Sequence, residues 1–380
     1  MRWWGIATTL VLLLAGCDGE PETAVTPSQA QSLPAPGTAR LDAAKAQPLQ
    51  AALAKIVAFP DSPAGSRGAT AAVVTDRWTW SGAAGKDISG TALRPETSIA
   101  VASITKTFVA AEVMLLAQAK KVDLDAPIST YVKHKLTTNN ATVRQHLSMT
   151  AGVPDFLPDD YFRLDGAVTA APGRHWTAVQ TLSYLTAPIE APNSTFSYSN
   201  PSYLLLGELI ENVTGQPFAA AFRRDLAAPA GLRHAAFQDG EKPQPPVAID
   251  HNESCGGQPD GYLPCRAFAS AVGATGSLAA DAPTVAHWGY QLYGGRVLPM
   301  ELVGEMTTGD GDYGLGTMLF TRLFGIGTAF GHRGDMPDST SLLVVIPEKK
   351  LSIALLLADG DRHIETGMGE LTKALEPLLS

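Results

Sequence analysis

Apolar residues follow two textures along this chain. Toward the C-terminus, apolar runs of strand length succeed one another between turn residues: YGLGTMLF, GTAFGHRG, STSLLVVIP and LSIALLLADGD. Their aliphatic and β-branched content predicts strands. The connection Pro347-Glu348-Lys349-Lys350 predicts a hairpin, and so antiparallel pairing of the last two runs. One further strand is expected over Ala71–Trp80 (AAVVTDRWTW), with Ser81 to Gly85 turning the chain. The other texture is helical. A helix is predicted to open near Ser103, because the following TKTFVAAEVMLLAQAKK has no Gly or Pro and is apolar nearly all round, as a buried helix is. From about Asp123 to Met306 short helical patterns alternate with Pro/Gly-containing loops, and a last helix is expected from about His363 to Leu379.

Strands at both ends with helices between them imply an α/β fold: one antiparallel sheet built from the N- and C-terminal segments, flanked by helices, with an inserted α-rich lobe. On this reading residues 48–122 and 307–380 carry the sheet and residues 123–306 are mainly helical. Residues 18–47, rich in Pro, Ala, Thr and Ser without sustained periodicity, are expected to be a flexible linker.

The N-terminus changes the picture of where the chain resides. Arg2, an apolar run from Trp3 to Leu14, and the small residues Ala15 and Gly16 before Cys17 form an export signal over residues 1–17. Leu14-Ala15-Gly16-Cys17 resembles the lipobox of bacterial lipoproteins, which implies lipid on Cys17 and a membrane contact through that lipid alone. Ordinary signal-peptidase cleavage, with Cys17 incidental, is the alternative. Asp18 resembles an inner-membrane retention signal. In an exported protein the two remaining thiols, Cys255 and Cys265, are expected to form a disulfide, with two free thiols as the alternative. They follow no metal-binding or CxxC pattern, and no metal or other cofactor is expected.

Composition narrows the partners. At 45% hydrophobic residues the 380-residue chain can bury a large core, and a net charge of −9 offers no broad basic surface, which argues against nucleic acid as a partner.

Three short motifs could carry chemistry. Ser103 and Lys106 form S-x-x-K in ASITKTF; positions i and i+3 of a helix share a face, so the amine can lie beside the hydroxyl. Tyr198-Ser199-Asn200 lies ahead of another apolar helix, and His332-Arg333-Gly334 ends a predicted strand. Singly these are ordinary: a helix cap with a surface lysine, an Asn turn, a surface histidine. A lysine at the head of an apolar helix is nevertheless costly to bury without a partner. Neither G-x-S-x-G nor H-E-x-x-H occurs.

Taken together and in this order, S-x-x-K, Y-x-N and H-x-G resemble the signature of the serine enzymes that recognise penicillin. The form is that of class C β-lactamases and the related D-alanyl-D-alanine carboxypeptidases and esterases. The likeness extends over ETSIAVASITKTFVA, KKVDLDAPISTYV, TVRQHLSMTAGVPDF, FSYSNPSYLLLGELIENVTG, GATGSLAADAP and YGLGTMLF. It implies a β-lactamase/transpeptidase-like fold and a serine hydrolase that forms a covalent acyl-enzyme on an amide or ester: a D-alanyl peptide, a short acyl ester or a β-lactam. Ser103 would be the nucleophile, and Lys106 and Tyr198 the proton-shuttling pair. Asn200 would donate to the substrate amide or to Lys106. His332, Arg333 and Gly334 would help bind substrate, and the backbone N–H groups of Ser103 and Asp335 would form the oxyanion hole. Holding Tyr198 as a phenolate at neutral pH takes roughly 4 kcal/mol of differential stabilisation; the alternative is a neutral Lys106 as base with a protonated tyrosine. His332 stands where a lysine is usual. The Asp335 carboxylate, if it faces the pocket, would repel a substrate carboxylate, with Arg333 able to offset it or to act as anchor. The rival reading is a non-catalytic penicillin-binding or cell-wall-peptide sensor.

Overall fold

The structure, a computed structural model, describes residues 30–192, 195–249, 255, 260–309, 312–320, 327–360 and 362–379. The strands are β1 (Ala39–Arg40), β2 (Gly68–Thr75), β3 (Trp78–Gly85), β4 (Ile99–Ala100), β5 (Ala236–Phe237), β6 (Leu278–Ala280), β7 (Met318–Phe320), β8 (Ala329–Met336), β9 (Ser339–Ile346) and β10 (Leu351–Leu357). Seven of them form one sheet in the order β1-β3-β2-β10-β9-β8-β7, antiparallel except where β1 joins β3. The two ends of the chain therefore meet at the β2–β10 seam, as the apolar pattern required.

Every residue of β2, β9 and β10 is buried, because helices cover both faces of the sheet. On one face lie α1 (Ala43–Ala58) and α11 (Ile364–Leu375), whose Leu49, Leu53, Ile364 and Leu371 pack on Ala71, Val73, Leu342 and Val344. The other face carries α2 (Thr105–Gln118) and α9 (Ala282–Tyr293). The Trp288 ring stacks on Phe108 at 3.9 Å, and its indole N–H donates to Thr107 Oγ1 at 2.9 Å. The indole is thus satisfied in a dry core. Between the sheet-forming segments lie α3 (Val143–Leu147), α4 (Pro158–Thr169), α5 (Ala178–Leu182), α6 (Asn200–Thr214), α7 (Phe218–Phe222), α8 (Arg266–Val272) and α10 (Met300–Met306). The inserted part is not wholly helical: β4, β6 and β5 make a small antiparallel sheet beside the nucleophile segment.

Two expectations are corrected. The segment read as one strand over 71–80 is a hairpin, β2 turning at Asp76-Arg77 into β3, so residues 81–85 continue a strand rather than turn the chain. No Gly or Pro marks this turn; Thr75 Oγ1 makes it by accepting the N–H groups of Arg77 (3.2 Å) and Trp78 (2.9 Å). The linker ends earlier than residue 47. Leu33 is buried and its N–H bonds to Gly294 O, β1 joins the sheet, and Asp42 caps α1 through Oδ1 to Ala44 N–H at 2.9 Å. The export signal over 1–17, with Cys17, lies outside the described residues, as does 18–29 of the linker. Among the described residues no helix is long and apolar enough to cross a membrane. Cys255 and Cys265 are disulfide-bonded.

Candidate active site

Ser103 sits in a 3₁₀ turn (Ala102–Ile104) that runs directly into α2. Ala102 before it has φ +48°, the left-handed region that a residue with a Cβ enters at a cost, so the surroundings must hold the turn in place. They do. Ser341 Oγ donates to Val101 O at 2.8 Å, and Thr105 Oγ1 donates to Ala102 O at 2.6 Å. Gly334 lets β8 approach this turn closely, since a Cβ there would lie 2.3 Å from Val101 O and 2.5 Å from Ser341 Oγ.

Lys106, one turn on, is fully buried. Its Nζ lies 3.0 Å from Ser103 Oγ, 2.9 Å from Asn200 Oδ1 and 2.8 Å from Thr275 O. Loss of water pulls its pKa down to about 7, against the pull of the Asp155 carboxylate in the other direction. A neutral amine has two N–H bonds and one lone pair. A backbone carbonyl and an amide oxygen can only accept, so they take the two hydrogens and leave the lone pair to the Ser103 hydroxyl. Tyr198 is brought to the same oxygen from the segment before α6, its OH donating to Ser103 Oγ at 2.8 Å. Burial pushes this phenol well above its ordinary pKa, so it remains protonated at neutral pH.

The two backbone N–H groups expected to hold an oxyanion lie at the head of α2 and on β8 past the end of its pairing with β7. In the first turn ahead of α2 the earliest donation back is from Ile104 N–H to Val101 O, so the Ser103 N–H precedes any acceptor within the helix. On β8, Arg333 N–H points outward, to Met318 Sδ of β7. Donors alternate along a strand, so Asp335 N–H points the same way, beyond Gly331, where β7 stops pairing.

The side chains of the third motif are placed otherwise than expected. On β8, His332 pairs with Leu343, which faces the helical lobe, while Arg333 pairs with Leu342, which faces α11. His332 is fully buried behind the site rather than presented to substrate. Its Nδ1–H donates to Arg333 O, so Nε2 accepts from Tyr313 OH at 3.1 Å. Burial and the nearby Lys106 push its pKa down to about 3, so it is neutral. Arg333 is not a free anchor: it makes two 2.8 Å bonds to Asp335, one of 2.5 Å to Glu365 and one of 3.1 Å to Arg362 O. The Asp335 carboxylate follows Arg333 to the α11 face. Gly334 provides the close approach described above. Asn200 is also reassigned, because its oxygen accepts from Lys106 and its nitrogen is engaged by Asp155 and Tyr161.

Four contributors escaped the sequence reading. Asp155 and Tyr161 hold Asn200, and Tyr313 holds His332. Asp155 directly follows the Gly-Val-Pro turn, its one legible signal in the sequence. Thr275 contributes only a backbone carbonyl, for which a side-chain motif gives no sign.

A mostly antiparallel sheet joined from both chain ends, with a Ser-x-x-Lys pair at the head of its buried helix, gives the protein the β-lactamase fold. The chain belongs to the beta-lactamase family, whose model matches residues 50–367. Among solved structures it resembles a D-amino acid amidase from Ochrobactrum anthropi SV3 (TM-score 0.75, 21% identity, 89% of this chain and 100% of that one). It also resembles a D-stereospecific amidohydrolase from Streptomyces sp. (TM-score 0.69, 25% identity, 87% and 97%). Among curated proteins it is 30% identical over 156 residues to protein flp of Staphylococcus aureus strain COL, covering 38% of this chain and 29% of that protein. It is 29% identical over 178 residues to the unguisins hydrolase ungD' of Aspergillus campestris, covering 43% and 32%. The chain thus spans about a third or less of the length of these curated relatives.

Proposed function

We propose that the protein hydrolyses an amide or ester through a covalent acyl-enzyme on Ser103, with Lys106 as general base and Tyr198 as proton relay. The observation that carries this reading is the set of partners around Lys106 Nζ, which leaves a neutral amine one lone pair, directed at Ser103 Oγ. Lys106 takes the hydroxyl proton as Oγ bonds to the acyl carbon, and the carbonyl electron pair moves to oxygen between the N–H groups of Ser103 and Asp335. One donor of that kind is worth about 10²–10³ in rate. The tetrahedral intermediate collapses, and the leaving nitrogen or oxygen takes a proton from Tyr198, which is reprotonated from the Lys106 ammonium. Water then repeats the sequence on the ester and returns the acid. Positioned proton transfer of this kind contributes about 10²–10⁴.

The locked Arg333 favours substrates that need no carboxylate anchor there. The D-stereospecific amidohydrolase adds D-configured amides to the candidates beside short acyl esters, D-alanyl peptides and β-lactams. The test is a panel of these four substrates on the exported part of the chain. Turnover abolished by Ser103→Ala, with the melting temperature unchanged, is the expected result. A stable penicillin adduct without turnover would instead favour the sensor reading, and full activity in the variant would remove the nucleophile. We further propose that lipid on Cys17 holds the protein to the cell envelope; mass spectrometry showing an unmodified Cys17 would overturn this.

A further inference from the structure

We infer that Asp155 is a positioning residue for this reaction: its carboxylate orients the Asn200 amide so that oxygen, not nitrogen, faces Lys106. The inference rests on the roles proposed for Ser103 and Lys106. Asp155 Oδ1 accepts the Asn200 backbone N–H at 3.2 Å, and Oδ2 accepts the Asn200 side-chain N–H at 3.2 Å. The Tyr161 hydroxyl shares both partners, donating to Asp155 Oδ2 at 3.4 Å and accepting from Asn200 Nδ2 at 3.2 Å. A carboxylate can only accept, so the amide nitrogen must turn toward it and Oδ1 must turn to Lys106, 2.9 Å away. With the amide reversed, an N–H would meet the amine, and the Lys106 lone pair would be drawn to Asn200 instead of to Ser103. Asp155 therefore determines where that lone pair points while touching no reacting atom.

It also contributes charge. Lys106 is faced by Ser103, Asn200, Thr275 O, the rings of Tyr198 (5.0 Å) and Tyr203 (5.5 Å), and the neutral His332; Asp155 acts on it as an anion. Asp155 is faced by Asn200, Tyr161, Tyr198 and Lys106. Withdrawal from water pushes its carboxyl up to about 6, so it is ionised at pH 7 and above.

The experiment measures kcat and KM from pH 5 to 9 on a nitrophenyl ester for the wild type, Ser103→Ala, Asp155→Asn and Asp155→Glu. Asp155→Asn should lower kcat about 100-fold, the scale of a misplaced catalytic group, with KM within threefold. Its acid limb should move about one pH unit lower, because the anion that favours the ammonium is gone. Asp155→Glu, which keeps the charge, should retain the wild-type limb and recover most of kcat. Wild-type kcat and an unmoved limb in Asp155→Asn would overturn the inference. So would a displaced limb in Asp155→Glu, which is decisive by itself if the Asn variant does not fold. Activity in Ser103→Ala would instead sink the underlying reaction scheme, so the two failures are distinguishable.

Discussion

Titration of Lys106 can be followed through both activity and stability. An amine near 10.5 in the unfolded chain falls to about 7 in the folded one. A difference of that size corresponds to about 5 kcal/mol against carrying the ammonium in the core. If the neutral amine is the base, kcat/KM should level off above pH 7 and fall below it, about tenfold per pH unit from Lys106 alone and more steeply below about 6, where Asp155 also takes a proton; only about one molecule in a hundred has a neutral Lys106 at pH 5. Stability gives an independent reading. Between about pH 7 and 10.5 the unfolded chain binds a proton at this position and the folded chain does not, so this residue makes stability rise with pH across that window. The penalty is full below 7 and gone above 10.5. Buried carboxyls act with the opposite sign at lower pH, Asp155 and Glu112 among them. Withdrawal from water raises Asp155 to about 6, and burial together with Asp225 raises Glu112 to about 8, so both lower stability as pH rises toward those values. Urea unfolding of the wild type and Lys106→Met between pH 8 and 10 therefore isolates the lysine. The variant should lose the rise of about 1.4 kcal/mol per pH unit, whatever the offset from leaving Thr275 O and Asn200 Oδ1 without a donor. Equal slopes in the two proteins, or a flat kcat/KM from pH 5 to 8, would refute a neutral Lys106.

Gly334→Ala should put a Cβ against Val101 O, costing about 1–3 kcal/mol and reducing kcat about 100-fold as the nucleophile turn shifts; thermal melts and ester hydrolysis read both. Asp335→Ser keeps its backbone N–H and leaves Arg333 bound to Glu365, so turnover should change less than threefold and stability fall by about 1 kcal/mol. A gain in hydrolysis of carboxylate-bearing β-lactams by that variant would show that its side chain reaches the pocket after all. Replacing Cys255 and Cys265 by serine opens a loop with a sequence separation of 10, which removes about 3 kcal/mol on the chain-entropy account; a melt unchanged by reductant would contradict it.

What the sequence determined by itself was whatever a local pattern can carry. The all-round apolarity of 105–118 required a buried helix, the C-terminal runs required strands, and the spacing of Ser103 and Lys106 required a shared helical face. The disulfide partners followed from the two cysteines that remain once Cys17 is set aside as an expected lipid site. Tertiary structure decided which way things face. His332, Arg333 and Asp335 alternate on β8, and only the covering of one sheet face by α11 and the other by α2 settled that the histidine enters the core while Arg333 and Asp335 turn toward α11. Likewise Asp155, Tyr161 and Thr275 act on Lys106 directly or through Asn200, by hydrogen bonds that span 39 to 169 residues of chain and whose donors and acceptors no periodicity encodes. Even the depressed pKa of Lys106 follows from lost water rather than from its neighbours in sequence, because desolvation is a property of the packed core and not of the helix that bears the amine.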